Sequence, residues 1–366
     1  MKLARTPRML SPYRIWATSS RVLAPVMTVA WVGVSSGLGT REDSVSCPGY
    51  PPLMGSELTH IPVLADEVVT MLDPQEGQVF VDCTAGLGGH ACLIAQKIGP
   101  SGTIVLNDMD QGNLDRAKAS VANALCPQSP GEARVHAIRG NFAELPGKLR
   151  ELGLSADMVL ADLGFASTQV DDPQRGLSFR FSGPLDMRLD PSMPITAEEL
   201  VNTLSERDLA DIIFRYGEEK ASRRIASKLV AAREVEPITT TDRLAEIVRS
   251  AVPGPRGSIN PATKTFQALR IAVNDELGSL DALLRLLGIA LKKSAQGQPS
   301  WVASGARVGI ISFHSLEDRP VKRAMSEWSG AGWGEAISRK PIEAKDAEIV
   351  SNPRARSAKL RGIRAN

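Results

Sequence analysis

After residue 58 the sequence alternates between short apolar runs and longer amphipathic stretches, and this alternation limits the fold more than any other feature. Strands are predicted at 78–83, 102–106, 133–138, 157–163 and 307–313, and helices at 60–72, 91–98 and 113–124. Strands that alternate with helices form parallel sheets with crossover connections. The sequence therefore predicts an α/β core.

The strand pattern stops between the fourth predicted strand and residue 307. Residues 196–291 contain several helical patterns and no clear strand, and 266–291 reads as one long helical stretch. Thr196 and Glu199 have the spacing of a capping box, and Ser205 and Asp208 repeat it. The economical interpretation is a helical domain inserted into the sheet.

The first residues differ from the rest in charge. Residues 1–41 hold six basic side chains and no acidic one, and 22–38 is largely apolar. The segment fits a signal peptide, a mitochondrial presequence, or an upstream extension without a folded role. Because Met54 stands just before the first convincing domain residues, the extension is favoured. No apolar run reaches the ~18–20 charge-free residues of a membrane span.

Composition adds limits of its own. A chain of 366 residues suits roughly two domains. With 43% hydrophobic and 23% charged residues, wholesale disorder and a coiled-coil rod are excluded. The net charge is +2, so an anionic partner has to be met by a local basic patch. The four cysteines form no C-x-x-C pair, and a reducing compartment is expected.

A glycine-rich turn, DCTAGLGGHA at 82–91, joins the first predicted strand to a helix. Glycines allow a sharp turn and close approach of a ligand, and the N–H groups of a helix start suit polar groups. Gly86, Gly88 and Ala91 match the dinucleotide fingerprint G-x-G-x-x-A, and Asp108 ends the next strand. An NAD-dependent oxidoreductase is therefore one interpretation.

The acid at the start of this turn points to another cofactor. Asp82 would repel a pyrophosphate, whereas it can face the cationic end of S-adenosylmethionine. Asp108 would accept hydrogen bonds from ribose hydroxyls with either cofactor. The turn thus favours S-adenosylmethionine over NAD.

Asp162 ends the fourth predicted strand, at the edge where α/β sheets bind ligands. The loop that follows is rich in arginine, phenylalanine and aspartate. Such side chains can neutralise phosphates and stack on bases, although composition alone favours a salt-bridged surface loop with two buried phenylalanines. The candidate substrate-binding residues of this loop are Arg175, Phe179, Arg180, Phe181 and Arg188.

Two further signals lie near the C-terminal end of the sequence. His314 follows the last predicted strand at the same sheet edge, where it can be structural or a base. Segment 352–361 is locally basic and either meets phosphates or forms a solvated tail. No Cys/His cluster or carboxylate box indicates a catalytic metal, and none is predicted.

Several strings together resemble one family. They are HIPVL (60–64), DCTAGLGGH (82–90), DDPQRGLSFRFSGPLDMR (171–188), TFQALRIAVNDEL (265–277), ISFHSLEDR (311–319) and NPRARSAKLR (352–361). They resemble the RsmH (MraW) family of bacterial small-subunit ribosomal RNA cytosine-N4 methyltransferases, which has a mitochondrial counterpart. The resemblance implies a class I (Rossmann-like) S-adenosylmethionine-dependent methyltransferase sheet with an inserted all-helical domain. The implied product is N4-methylcytidine in the decoding centre of 16S rRNA.

The resemblance also implies site residues. The S-adenosylmethionine contacts would be Gly88, Gly89, His90, Asp108, Phe142, Asp162 and Gln169. Asp108 would hold the ribose and Phe142 would pack by the adenine. The candidate catalytic residues are Asp162 and His314. One departure is 164–168, which reads GFAST where the family usually has GVSSP.

The expected organisation is an extension at 1–57, a first methyltransferase core segment at 58–166, a helical substrate-recognition domain at 167–264, and a second core segment with a basic tail at 265–366. The implied partner is small-subunit rRNA or the 30S particle, with no membrane and a homodimer left open. The expected location is the cytoplasm, or the mitochondrial matrix if the extension is a presequence. A non-catalytic ribosome-assembly factor remains an alternative.

Overall fold

The centre of the protein is one mixed β-sheet of eight strands. The computed structural model describes residues 61–125, 134–164, 169–170, 172–252 and 260–366. The predicted extension at 1–57 and loop residues 165–168 lie outside the described residues. No helix of the described chain is long and apolar enough to cross a bilayer.

The strands follow the order β3-β2-β1-β4-β5-β8-β6, and β7 pairs with β8 beside this path. Their bounds are β1 Val79–Asp82, β2 Thr103–Asp108, β3 Arg134–Arg139, β4 Ala156–Asp162, β5 Val302–Ser312, β6 Gly334–Ala336, β7 Ile342–Glu343 and β8 Lys359–Ala365. Strands β1 to β5 are parallel, whereas β8 runs antiparallel to β5. The predicted parallel core is confirmed.

The sheet brings the acidic strand ends to one edge. Strands β1 and β2 are almost completely buried, which explains their continuous apolar runs. Asp82 pairs with Leu160, two residues before Asp162. Asp108 ends the neighbouring strand β2. Three carboxylates thus leave the sheet at its carboxyl edge, the usual ligand edge of α/β sheets.

The chain forms helices on both sides of the sheet and in a helical segment between β4 and β5. The helices are α1 Ala65–Leu72, α2 Gly89–Ile98, α3 Gln111–Ala124, α4 Leu145–Glu151, α5 Ala197–Thr203, α6 Glu206–Gly217, α7 Ser222–Arg233, α8 Thr241–Ala251, α9 Ala262–Asn274, α10 Glu276–Ala295, α11 Ser315–Gly330 and α12 Asp346–Ser351. Short 3₁₀ turns lie at Phe142–Glu144, Pro173–Arg175 and Pro353–Ser357.

Helices α5 to α9 enclose a hydrophobic cluster of their own, distinct from the two clusters around the sheet. The Thr196–Glu199 capping box is present at α5, and Ser205 accepts from the N–H of Asp208 at α6, as predicted. Helix α9 packs in this cluster through Phe266 and Leu269. The boundaries of the inserted domain, 167–264, stay a prediction.

Three elements differ from the sequence-based expectation. Helix α1 begins at Ala65 rather than at residue 60, because Leu64 takes a left-handed conformation with φ of 54°. The long stretch 266–291 is two helices, since Asp275 has φ of 47° and ends α9. The segment interpreted as a solvated tail instead enters strand β8, whose Leu360 and Ile363 are fully buried.

Candidate active site

A cavity of about 440 Å³ opens at the carboxyl edge of the sheet. Its volume suits a small-molecule ligand. The glycine turn, the ends of β2, β4 and β5, helix α9 and residues near the Pro353–Ser357 turn line it. The predicted site residues that line it are Gly89, His90, Asp108, Phe142, Asp162, Gln169 and His314.

Gly88 fixes the shape of the turn between β1 and α2. It has φ of 84°, a left-handed conformation that side chains other than glycine rarely adopt. A Cβ at this position would lie 2.9 Å from the Cα atom of Ala117 in α3. The turn therefore packs directly on α3. Gly88 does not line the cavity, whereas Gly86, Leu87 and Gly89 of the same turn do.

Asp108 ties the turn to the end of β2. Its carboxylate accepts the N–H of Gly86 at 2.9 Å and the N–H of Asp110 at 2.8 Å. Burial raises the pKa of Asp108 to about 6, although these backbone hydrogen bonds act in the opposite direction. The carboxylate is thus held in one orientation at the cavity wall.

Asp82 and Asp162 are joined through Thr84. The N–H of Thr84 donates to Asp82 at 3.1 Å, and the N–H of Asp162 donates to the Thr84 hydroxyl at 2.7 Å. Burial raises the pKa of Asp82 to about 7. Burial, followed by the charges of Asp82 and Glu317, raises the pKa of Asp162 to about 8. Asp162 lines the cavity, whereas Asp82 does not, and a cationic ligand beside Asp162 would offset the cost of burying its charge.

Asp162 also has an unmet hydrogen-bonding capacity. Its Oδ1 atom is buried and has no hydrogen-bond partner among the described residues. Its Oδ2 atom lies 3.7 Å from Nδ1 of His90, whose Nε2 donates to the carbonyl oxygen of Val63 at 2.9 Å. Buried polar atoms are nearly always paired, so Oδ1 marks a place for a ligand donor.

Gln169 is positioned by Asp110, the residue that caps α3. Its amide nitrogen donates to Oδ2 of Asp110 at 3.2 Å, and Arg175 donates to the same oxygen. Burial acts to raise the pKa of Asp110, but the charge of Arg175 and the Gln169 hydrogen bond outweigh it, and the net pKa is lowered. Arg175, predicted to bind substrate, does not line the cavity and is engaged in this ion pair.

The other predicted substrate residues divide into two groups. Arg188 makes two 2.8 Å hydrogen bonds to Asp186, and Phe179 packs edge-on against Phe266 with ring centroids 5.0 Å apart. Arg180 and Phe181 are exposed, and 59% of the surface of Phe181 is accessible to solvent. The expectation of two buried phenylalanines is not met, because Phe179 is half-buried and Phe181 is exposed.

The cavity is also lined by charged residues that the sequence did not single out as site residues. Arg270 donates to both carboxylate oxygens of Glu276, at 2.7 Å each. Glu317 accepts the N–H groups of Phe313 and His314 at 2.9 and 3.3 Å. Glu317 stood within a recognised string, but its position near a helix start signalled only capping. Arg270 and Glu276 also stood within a quoted string, 265–277, but their pair spans the helix break at Asp275, which the sequence analysis did not predict.

His314 lies between these charges. Its Nε2 atom is 3.2 Å from Oε1 of Glu317, and neither ring nitrogen makes a hydrogen bond with a described residue. Burial, followed by the charge of Arg270, lowers the pKa of His314 to about 4. The ring is therefore neutral at physiological pH. Burial raises the pKa of Glu317 to about 7.

One group of potential metal ligands occurs here. Atoms of Glu276, His314 and Glu317 lie within 4.8 Å of one another. Arg270 already balances the charge of Glu276 through two hydrogen bonds, so a cation would have to displace it. Within the described chain, this arrangement fits an ion-pair network better than a metal centre.

The parallel order β3-β2-β1-β4-β5, the antiparallel β8 beside β5, the glycine turn after β1 and the acid that ends β2 define a Rossmann-like class I methyltransferase. Residues 57–366 match the MraW methylase family, and the chain belongs to this family. It is a methyltransferase, and its cofactor is S-adenosylmethionine. The NAD-dependent alternative is thereby set aside.

Similar proteins cover nearly the same length. The chain is 45% identical over 319 residues to a protein of Sorangium cellulosum named ribosomal RNA small subunit methyltransferase H, covering 87% of this chain and 94% of the relative. A protein of the same name from a Cyanothece species is 44% identical over 85% of this chain and 96% of its own. A third, from Acidobacterium capsulatum, is 42% identical over 82% of this chain and 97% of its own.

Proposed function

We propose that this protein methylates the N4 amino group of a cytosine in the decoding centre of 16S rRNA. The observation that carries the proposal is the 45% identity to a relative named ribosomal RNA small subunit methyltransferase H, across 94% of that relative. The choice of cytosine N4 follows the resemblance of the quoted strings to the RsmH (MraW) family. The geometry of the cavity supports an amine as the acceptor.

The cavity fits a sulfonium cofactor. Gly88, Gly89 and His90 would surround its methionine moiety, since the turn allows close approach to the backbone. Asp108 would accept from the ribose hydroxyls, and Phe142 would pack by the adenine. These assignments are supported by the position of Gly89, His90, Asp108 and Phe142 in the lining of one cavity.

Asp162 and Gln169 would complete the cofactor site. Both line the cavity, and the buried Oδ1 of Asp162 has no partner in the described chain. When bound, S-adenosylmethionine supplies an electrophilic methyl carbon. The protein's task is then to present the acceptor nitrogen in line with that carbon.

Cytosine N4 is a poor nucleophile because its lone pair is delocalised into the ring. Alignment and hydrogen-bond acceptors for the two amine hydrogens would supply most of the catalysis. Oδ1 of Asp162 and the ring of His314 are buried acceptors without partners among the described residues, and both residues line one cavity. Two acceptors match the two hydrogens of an exocyclic amine, whereas a hydroxyl offers one.

The RNA would be held outside the cavity. A cytosine must leave its stack to reach the methyl carbon. Phe181 is exposed and can stack on a base, and the neighbouring Arg180 can meet phosphate. The proposed partner is small-subunit rRNA, either free or within the 30S particle.

The test uses the purified protein, S-adenosylmethionine, and either 30S particles or free 16S rRNA that lack the modification. Mass spectrometry of the nucleosides should show N4-methylcytidine from at least one of the two substrates. Replacing Asp162 by Ala should abolish the product while circular dichroism stays unchanged. A methyl group on ribose or on cytosine C5 contradicts the proposal. Particle binding without any methylated nucleoside indicates a non-catalytic assembly factor.

A further inference from the structure

We propose that Glu317 is a positioning residue that orients the ring of His314, and that His314 accepts the proton which the substrate amine loses during methyl transfer. This inference rests on the proposed amine methylation and adds the route of the proton. It concerns the part of the cavity lining at the start of α11.

The two carboxylate oxygens of Glu317 have separate contacts. Oε2 accepts the N–H groups of Phe313 and His314, which fixes the backbone between β5 and α11. Oε1 lies 3.2 Å from Nε2 of His314. The Glu317 side chain is 5% exposed, so water does not compete strongly for it. One side chain thus holds the loop by hydrogen bonds and also places a carboxylate oxygen beside the imidazole ring, without a hydrogen bond to it.

The contact selects a tautomer of His314. Nε2 has no hydrogen-bond partner among the described residues, so Glu317 acts on the ring through its charge and not through a hydrogen bond. An ionised carboxylate repels the lone pair of an unprotonated nitrogen beside it, which favours the tautomer with the hydrogen on Nε2. The hydrogen then resides on Nε2, and Nδ1 keeps its lone pair. Nδ1 is buried and makes no hydrogen bond with the described residues, in a side chain that lines the cavity. An acceptor is therefore available to a ligand donor.

The proton balance follows from this arrangement. The N4 lone pair forms the new bond to the methyl carbon, and the electron pair of the broken carbon–sulfur bond stays on sulfur. One N4 hydrogen leaves as a proton and binds Nδ1 of His314. The resulting imidazolium has Glu317 as its counter-charge and later releases the proton to water.

A weak base is sufficient for this step. The pKa of His314 is lowered to about 4, by burial first and by Arg270 second. A methylated cytosine amine that still carries its extra proton is a far stronger acid than such an imidazolium. Transfer to Nδ1 is thus downhill.

Other charged groups surround the ring. Arg270 lowers the pKa of His314, and Glu218 acts to raise it. Glu276 is paired with Arg270. Asp162 is the rival acceptor, because its Oδ1 is also buried without a described partner.

Glu317→Gln separates positioning from capping. Gln serves as well as Glu in a capping box, and its amide oxygen can still accept the N–H groups of Phe313 and His314. Its amide NH₂ would donate to Nε2, which moves the ring hydrogen to Nδ1. We expect kcat to fall by roughly 100-fold. KM for the RNA substrate and the affinity for S-adenosylmethionine should stay within about threefold.

Glu327→Gln is the matched control. Glu327 is exposed on the same helix, and its replacement should leave kcat unchanged. If kcat of the Glu317→Gln variant stays within about threefold of the unmodified protein, the inference is wrong.

A second measurement reads the tautomer directly. The chain has four histidines, and spectra of ¹⁵N-histidine-labelled protein distinguish protonated from unprotonated ring nitrogens. A His314→Gln variant identifies the His314 signals. The unmodified protein should show an unprotonated Nδ1, and the Glu317→Gln variant a protonated one. A hydrogen on Nδ1 in the unmodified protein overturns the inference.

The two proposals fail in different ways. If the unmodified protein yields no N4-methylcytidine, the proposed function is wrong and the proton route falls with it. If the unmodified protein yields the product and the Glu317→Gln variant does so equally fast, only the role of Glu317 and His314 is wrong.

Discussion

Arg175 donates a hydrogen bond to Asp110, the residue whose carboxylate caps helix α3. Gln169 donates to the same oxygen of Asp110. One carboxylate therefore joins the loop after β4 to the turn after β2. Arg175, a candidate substrate-binding residue, thus forms the kind of salt bridge that the composition of this loop favoured.

Replacing Arg175 by Ala should lower the free energy of unfolding by about 2 kcal/mol, because it leaves the largely buried Asp110 without its cation. It should also weaken S-adenosylmethionine binding, since Asp110, the hydrogen-bond partner of Gln169, loses the ion pair that holds its carboxylate in place. Urea unfolding and calorimetric titration measure the two effects. Arg215→Ala is the control, as its pair with Asp211 is exposed and contributes about 0–1 kcal/mol. Equal losses in both variants would contradict the role given to Arg175.

Gly88→Ala should destabilise the protein by about 2 kcal/mol or more and abolish cofactor binding. The left-handed backbone alone costs about 1–2 kcal/mol for a residue with a Cβ, and the added atom meets α3 at 2.9 Å. Gly147→Ala tests the same substitution inside helix α4, where an added Cβ has no neighbour within 4 Å. That variant should be unchanged or more stable by about 0.5–1 kcal/mol. Thermal unfolding with and without S-adenosylmethionine distinguishes the two.

The cofactor-free protein should lose stability between about pH 6.5 and pH 8. Burial raises the pKa of Asp82 and Glu317 to about 7 and that of Asp162 to about 8. In this range the folded state binds more protons than the unfolded state, so the free energy of unfolding falls as pH rises, by on the order of 1 kcal/mol per group. The pKa of His314 is lowered to about 4, so the titration of His314 makes the free energy of unfolding rise with pH, but only below about pH 6.5.

Two comparisons check this pH dependence. The melting temperature of Asp162→Asn should fall less steeply over the same range, because one titrating group is gone. Saturating S-adenosylmethionine should raise the melting temperature more at pH 8 than at pH 6.5, since its positive charge offsets the ionised carboxylates. Parallel curves for the variant and the unmodified protein would show that Asp162 does not titrate in this window.

Phe181→Ala should reduce RNA affinity or turnover by roughly 10-fold, because stacking on a base contributes about 1–3 kcal/mol. Its stability should be nearly unchanged, since 59% of the residue is exposed. Phe214→Ala is the matched control, with 57% exposure on α6. Binding to 16S rRNA and initial rates of methylation measure the effect. Identical behaviour of the two variants would remove Phe181 from the RNA surface.

The fold could be predicted from sequence where local pattern and tertiary environment agree. The buried strands β1, β2 and β4 have continuous apolar runs, and their ends place Asp108 and Asp162 at one edge. Strand β8 was missed because charged residues interrupt its apolar positions. Strands β6 and β7, which also pair with β8, are only three and two residues long.

The site could be predicted only partially, for a related reason. Residues that follow strands are recognisable, because the sheet fixes where strand ends meet. Tertiary packing determines which residues form ion pairs. Arg175, for example, pairs with Asp110, which is 65 residues away in the sequence. No local pattern distinguishes an arginine that binds phosphate from one that neutralises a buried carboxylate.

Strands β4 and β5 are neighbours in the sheet, yet helices α5 to α10 lie between them in the sequence. Pairing β4 with β5 during folding closes a long loop. The entropy cost of this closure grows only slowly with loop length, but pairing strands so far apart in the sequence slows folding. The cluster enclosed by α5 to α9 can form from nearby contacts first, which draws the ends of that loop together. We therefore expect the helical segment to gain protection from hydrogen exchange before the β4–β5 pair does, and the cofactor cavity to be completed in a late step of folding.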